Sequence, residues 1–320
     1  MTYHRQINTV AVVGLGLIGM SWVAYFLARG FKVQGFDPDP EASARTTAYV
    51  EKTWPALVAL DLVAAQARRE DLHISASLDE AIAGADFVQE NAPELATVKA
   101  SVLAEIGRYA PETVPIASST SALKLTPLVA SAPHPERYFL AHPFNPPHLV
   151  PLVEVSGGER TSPAVLDWAM WFYRHIRREP VRLKREIHGH IANRLQYVLY
   201  NEAARMVLEG VATAEDVDAA VSWGPGMRWA LFGPFMTMHL GGGPGGIASA
   251  FNKFRDRDAF NTDRAARMVL TPEQEALFIE AVDRAMRGRT IQQLEADRDA
   301  ALVELYRLKI RHASNATGDE

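Results

Sequence analysis

The chain of 320 residues contains no cysteine. Disulfides, a thiolate nucleophile and thiolate metal sites are therefore excluded, and cysteine usage says nothing about redox compartment. Charge of one sign is not in excess either. Lys and Arg number 33 against 38 Asp and Glu, a formal net charge of −5. Phosphate backbones are held by a basic face, so nucleic acid is not an expected partner. Internal repeats and low-complexity tracts are missing, which excludes solenoids and arrays. What remains is ordinary globular composition, 48% hydrophobic and 22% charged, in a chain long enough for two domains.

Charge is also missing locally. Residues 10–28 carry none, and His4 and Arg5 precede them. Hydropathy alone would read this run as a signal peptide or a membrane span. Gly14, Gly16 and Gly19 interrupt it at fixed spacing, no small-residue cleavage site with a polar start follows, and residues 31–37 continue a strand pattern. The expectation is a cytoplasmic protein without a membrane partner.

The interrupted run carries the first motif. Val10-Ala11-Val12-Val13 reads as a buried parallel strand, residues 21–29 as a helix closed by Gly30, and residues 31–36 as a second strand ending at Asp37. Strand, helix and strand in this length form one βαβ unit. Its turn, Gly14-Leu15-Gly16-Leu17-Ile18-Gly19, matches GxGxxG in the context that makes the motif informative. Gly14 permits the tight turn, Gly16 lets the backbone approach a pyrophosphate, and Gly19 lets the helix pack against the strand. Leu17 and Ile18 complete the loop, and the helix N-terminus offers N–H groups to the phosphates. Asp37 would accept from the ribose hydroxyls and repel a 2′-phosphate, so the expected cofactor is NAD rather than NADP. The plain alternative for Asp37 is an acid in the turn Asp37-Pro38-Asp39-Pro40.

Further along, residues 42–67 and 97–109 read as helices, and residues 86–90, 114–118, 138–141 and 152–155 as strands. Residues 181–184 read as an edge strand. After Gly189 the pattern becomes helical: residues 191–209 stopped by Gly210, residues 214–221 with Thr213 as N-cap, then residues 272–289 and 291–310. Residues 223–246 are rich in glycine and aromatics, and the polar tail from residue 312 is expected to fray. The expected architecture is α/β: a doubly wound, Rossmann-type NAD-binding domain over residues 1–187, then an all-helical domain over residues 188–320 that completes the substrate site and dimerises.

Oxidising an alcohol by hydride transfer needs a base for the hydroxyl proton, and histidine suits that task near neutral pH. His142 follows the strand at residues 138–141, at a carboxyl end where ligands of open α/β sheets bind. Glu154 sits between apolar residues in Leu152-Val153-Glu154-Val155. An acid buried there needs a partner, and a histidine would answer that need. His188 and His190 have metal-ligand spacing without an evident third ligand, so no metal is expected, and neither they nor His239 presents a comparable catalytic case.

These motifs, with Gln89-Glu90-Asn91-Ala92-Pro93-Glu94, Ser118-Ser119-Thr120-Ser121, His142 to Pro147 and Gly189-His190-Ile191-Ala192-Asn193-Arg194-Leu195, resemble the 3-hydroxyacyl-CoA dehydrogenase superfamily over nearly the whole chain. Within its branch of L-gulonate 3-dehydrogenase (lambda-crystallin) and L-carnitine dehydrogenase, Gly226-Met227-Arg228-Trp229 resembles the gulonate enzyme and the glycines of residues 241–246 resemble the carnitine enzyme. The carnitine enzymes carry aspartate at the position of Asn193, so this position resembles the gulonate side of the branch. The resemblance implies His142 as general base oriented by Glu154, Ser121 on the reacting oxygen, Asn193 holding the substrate, and Glu94, Lys99 and Asn145 near the cofactor. Arg228 matches an arginine of the gulonate branch implicated in holding the substrate, and a guanidinium clamps a carboxylate well. Ser121 also reads as an N-cap, and Arg228 as an ion-pair partner at a dimer contact.

The implied reaction is NAD-dependent oxidation of a small polar L-3-hydroxy acid to the 3-keto acid by a homodimer. An L-3-hydroxyacyl-CoA substrate is the alternative, but residues 39–70 show no basic patch for CoA phosphates. Trp223, Trp229, Phe232 and Phe235 would suit a trimethylammonium cage or simple packing. A non-catalytic crystallin-like protein and an NAD-responsive binding module are the readings of another class.

Overall fold

The uncharged run is divided in the structure, a computed structural model that describes residues 6–242 (the side chains of Leu231 and Phe232 excepted), then 244, 246, 271, 273, 288, 290, 293, 296, 299–308 and 311. Its first part is strand β1 (Thr9–Val13) and its second is helix α1 (Leu17–Ala28). The helix begins four residues earlier than the sequence pattern suggests, directly behind Gly16. No helix among the described residues is long and apolar enough to cross a membrane.

The chain then runs through β2 (Lys32–Phe36), α2 (Ala42–Ala59), β3 (Leu72–Ile74), α3 (Leu78–Ile82), β4 (Phe87–Glu90), α4 (Ala96–Tyr109), β5 (Ile116–Ser118) and α5 (Leu125–Leu128). β6 (Tyr138–Pro143), β7 (Leu152–Ser156), α6 (Pro163–His175) and β8 (Glu179–Arg182) complete one sheet of order β3-β2-β1-β4-β5-β6-β7-β8. Neighbours are parallel except β6 and β7. This is a doubly wound α/β sheet whose order reverses between β1 and β4, where open sheets bind ligands.

Period-two alternation builds both layers. Val10 and Val12 of β1 face a core with Trp22, Phe26, Phe87, Trp168 and Phe172, while Ala11 and Val13 face Val88, Leu103, Ile106 and Ile116. Each fully buried side chain of this size stabilises by about 1.5–3 kcal/mol.

Several expectations are corrected. The helix expected over residues 42–67 stops at Ala59. Asp61 takes φ 54°, Leu62 N–H donates to the Leu57 carbonyl at 3.0 Å and Asp61 N–H to that of Val58 at 3.0 Å. That pair of bonds is a Schellman stop, with buried Leu62 and Leu57 as its apolar contact. Arg307 adds a bond to the Ala59 carbonyl at the same helix end. The edge strand sits two residues earlier than expected, and β3, α3 and α6 are additional to the elements expected from the pattern.

Helix α7 (Ala192–Leu208) and α8 (Ala214–Trp223) follow, the latter with Thr213 accepting from Asp216 N–H at 3.1 Å. Residues 225–241, expected only as glycine- and aromatic-rich, form α9 (Pro225–Gly241). Gly233 breaks it at φ 70°, ahead of Pro234, which has no N–H to continue the helix. Of the helix expected over 291–310, residues 293, 296 and 299–308 are described and helical. Almost all of the helix expected over 272–289 and the tail from 312 lie outside the described residues. Contacts group Met1–Asn193 with Asp297–Glu320 in one unit and Arg194–Ala296 in a second. Val303, buried in the sheet's core, ties the C-terminal helix to the first unit.

Candidate active site

The glycine loop is shaped by what surrounds it. At Gly14, φ is +87° and an added Cβ would stand 2.7 Å from the Asn91 backbone. A Cβ on Gly19 would stand 1.8 Å from the Gly14 carbonyl oxygen. On Gly16 it would meet nothing within 4 Å, so this side of the loop is open to a ligand. The first bond of α1 runs from Met20 N–H to the Gly16 carbonyl at 2.9 Å, and Leu17, Ile18 and Gly19 have no carbonyl one turn earlier to meet. Leu17 is half-exposed there. Beside the loop, Asp37 accepts from Leu15 N–H at 2.7 Å and from Asp39 N–H at 3.0 Å. A cleft of about 550 Å³ opens from it, lined by Gly14, Phe36, Asp37, Asp79, Val98 and Tyr109 among others. An open glycine, unpaired helical N–H groups and an acid at the end of β2 fit a dinucleotide.

Across the switch point, β4 ends in Glu90, fully buried. Its carboxylate accepts from Lys99 Nζ at 2.9 Å, from Ala92 N–H at 2.6 Å and from the Ser118 hydroxyl at 2.5 Å. Lys99 also lies 3.7 Å from Glu94. Glu94 Oε1 gathers the Thr120 hydroxyl at 2.5 Å and the N–H groups of Ser121 and Ala122, each at 2.9 Å. Burial works to raise the Glu94 pKa. The Thr120 hydroxyl, the Lys99 charge and the two N–H groups outweigh it and hold the carboxyl below its ordinary value.

β6 and β7 are antiparallel in a register that sets His142 opposite Glu154. His142 Nδ1 lies 2.9 Å from Glu154 Oε2, and both side chains are buried. The carboxylate can only accept, so Nδ1 carries the proton and Nε2 keeps its lone pair. Glu154 Oε1 takes the N–H groups of Ile191 at 2.8 Å and Ala192 at 3.0 Å, at the start of α7. Desolvation pushes this carboxyl up, but the His142 bond, the two N–H groups and the His142 charge outweigh it, so the net displacement is downward. The bond to Glu154 fixes the orientation of the His142 ring. Phe144 packs edge-on against the imidazole with ring centroids 5.3 Å apart.

Asn193 Nδ2 donates to the Ser121 carbonyl at 2.9 Å. The structure therefore brings Ser121, Asn193 and Glu94 together through the segment at residues 120–122, and Glu94 to Lys99. Asn145 stands exposed in the loop after β6, ahead of the cis bond to Pro146. Arg228 is exposed on α9 in the second unit, where Trp223, Trp229 and Phe235 are exposed too. Phe232's side chain lies outside the described residues. Among the described residues no three metal-ligating side chains converge.

Two features escaped the sequence reading. Glu90 enters the sequence pattern only as part of the motif at residues 89–94, although it lies at the centre of the buried carboxylate cluster. His190 packs beside His142, ring centroids 5.1 Å apart, where its two-residue spacing from His188 pointed only toward metals.

Residues 9–187 match the NAD-binding domain of 3-hydroxyacyl-CoA dehydrogenase, and residues 189–276 match the C-terminal domain of that family. The L-carnitine dehydrogenase of Nocardiopsis dassonvillei is 44% identical over 306 residues, 96% of this chain and 93% of the relative. That of Streptomyces coelicolor is 43% identical over 307 residues, 96% of each. Among solved structures, 5-formyl-3-hydroxy-2-methylpyridine 4-carboxylic acid 5-dehydrogenase, an NAD+-dependent dismutase, aligns with TM-score 0.81 at 29% identity over 95% of this chain and 99% of that one. The cofactor is NAD and the reaction an oxidation at CH–OH: the chain belongs to the 3-hydroxyacyl-CoA dehydrogenase family.

Proposed function

We propose that the protein oxidises L-carnitine, or a free L-3-hydroxy acid much like it, to the 3-keto acid. The observation that carries this substrate is the 43–44% identity, over nearly full length, to relatives named L-carnitine dehydrogenase. The charges of residues 39–70 support a small acid over a CoA ester. Arg45 is engaged by Asp39 at 2.6 Å, and Arg69 by Glu51. Lys52 and Arg68 are the segment's other two cations, and against its five acids they leave no excess of positive charge for CoA phosphates.

His142 acts as the general base. Its Nε2 lone pair takes the hydroxyl proton, and Glu154 holds the imidazole in the required tautomer and stabilises the charge it acquires. Ser121 hydrogen-bonds the reacting oxygen, and its hydroxyl makes no bond within the described residues. Asn193 steadies the Ser121 backbone and has its amide oxygen to spare. By its match to the family's arginine, Arg228 is the candidate clamp for the substrate carboxylate. The glycine loop, with Asp37 at the ribose and Glu94, Lys99 and Asn145 nearby, would hold NAD, which when bound would supply the hydride acceptor for the carbinol carbon. The working form is a homodimer whose contact uses the exposed apolar residues of α7, Leu195, Tyr197, Val198 and Leu199 among them.

One assay tests the substrate: NADH formation with L-carnitine, L-gulonate, L-3-hydroxybutyrate and its CoA ester. L-carnitine is expected to give the highest kcat/KM, and a higher value for the CoA ester would overturn the reading. His142→Ala should lose roughly 10²–10⁴-fold in kcat with NAD still bound. Full activity in that variant would remove His142 as the base. No turnover by wild type with any compound would favour an NAD-responsive binding protein.

A further inference from the structure

The segment carrying Ser121 is held on both sides. Its N–H groups at Ser121 and Ala122 go to Glu94. Its carbonyls at Thr120, Ser121 and Ala122 are taken in turn by the His190 ring at 3.0 Å, Asn193 Nδ2 at 2.9 Å and Gly189 N–H at 3.0 Å. The donors on the carbonyl side all come from residues 189–193. The next residues, Ile191 and Ala192, give their N–H groups to Glu154. One short stretch thus grips the Ser121 segment and the carboxylate behind His142 together.

His190 is the unusual member. It is 1% exposed and takes a left-handed backbone, φ 48°, which a side chain with a Cβ rarely adopts. The Thr120 carbonyl accepts, so Nε2 carries the ring's proton. Nδ1 is then a bare acceptor, buried and without a hydrogen-bond partner among the described residues. Packing alone would be served at lower cost by an apolar ring, because an unpaired buried nitrogen is penalised. His190 accepts both penalties while its ring lies 5.1 Å from that of His142.

We infer that His190 is a positioning residue: its bond to Thr120 sets the Ser121 hydroxyl relative to the His142 imidazole. The role rests on reading His142 as the base and Ser121 as its partner on the reacting oxygen. Burial lowers the His190 pKa. The Thr120 bond opposes that, His142 lowers it further, and Glu154 and Glu94 act upward, with a net result below the ordinary value. A neutral His190 keeps its single N–H on Thr120 and adds no charge beside the base.

The test compares full-length wild type, His190→Phe and His190→Gln. Phenylalanine keeps the ring and drops the donor, whereas glutamine restores an N–H of similar reach. With the panel compound that wild type oxidises fastest, H190F should lose up to about 100-fold in kcat, as misplacement of reacting groups does, with KM for NAD unchanged. H190Q should recover most of that loss. Hydrogen exchange, read by mass spectrometry on the peptide spanning residues 118–123, supplies a measure independent of turnover. The amides of Ser121 and Ala122 should exchange faster in H190F and as in wild type in H190Q. Wild-type kcat or wild-type protection in H190F overturns the inference, as does an H190Q enzyme no better than H190F. An inactive wild type would count against the proposed reaction, while the exchange data would still decide the His190 contact.

Discussion

Glu154→Gln probes the dyad with the smallest change of shape. In the native site Oε1 holds two backbone N–H groups, from Ile191 and Ala192, and Oε2 holds His142 Nδ1–H. A glutamine has one acceptor oxygen. If that oxygen stays with the two N–H groups, the amide NH2 faces His142 and must donate. Nδ1 then becomes an acceptor, the proton moves to Nε2, and the lone pair needed for the substrate hydroxyl is lost. The fold keeps its helix-start bonds, so damage concentrates in catalysis. Loss of general-base function lowers kcat on the order of 10²–10⁴-fold. That corresponds to about 3–5 kcal/mol on the barrier. The assay is steady-state NADH absorbance across pH, with NADH fluorescence as the check on cofactor binding. Binding should be unchanged and kcat collapsed. An E154Q enzyme with wild-type kcat would refute the tautomer argument, because the same geometry cannot present Nε2 as a base while Nδ1 accepts.

Gly19→Ala should abolish NAD binding, measured by NADH fluorescence titration, since its Cβ would stand 1.8 Å from the Gly14 carbonyl oxygen and displace the loop. Lys99→Met strands the buried Glu90 carboxylate and should cost about 3 kcal/mol in urea denaturation. The figure is the lower end for a broken buried pair because Ser118 and Ala92 still donate to Glu90. Glu154 and Glu94 both titrate below their ordinary values when folded. Their stabilisation is complete above the unfolded carboxylate range and is lost as pH falls through the lower folded values. Thermal melts should show wild type losing more Tm than E154Q on acidification, and equal slopes would exclude Glu154 as a contributor.

Much of this protein follows from local rules. Val10 to Val13, the glycines and Asp37 lie within one βαβ unit, and each depends on neighbours a few residues away. Periodicity, glycine conformation and the helix N-terminus are near-neighbour physics, so they can be read from sequence. The need of Glu154 for a partner was legible for the same reason, because an acid in an apolar strand reports its own desolvation. The family motifs placed Ser121 and Asn193 in order along the chain without showing that one bonds the other's backbone. Even local reading failed where a tertiary contact intervened. Nothing in residues 42–67 marks Asp61 as a left-handed stop, and Arg307, far along the chain, helps to finish that helix.

Only the folded chain decided the rest. The antiparallel register of β6 and β7 sets His142 against Glu154, and a slip of one residue would turn Glu154 to the other face of the sheet. The grip of residues 189–193 on residues 120–122 spans about seventy positions. Such pairings are selected by global packing, which no window of sequence contains. The glycine loop could therefore be read at the outset, whereas the role of His190 emerged only once its ring stood beside His142.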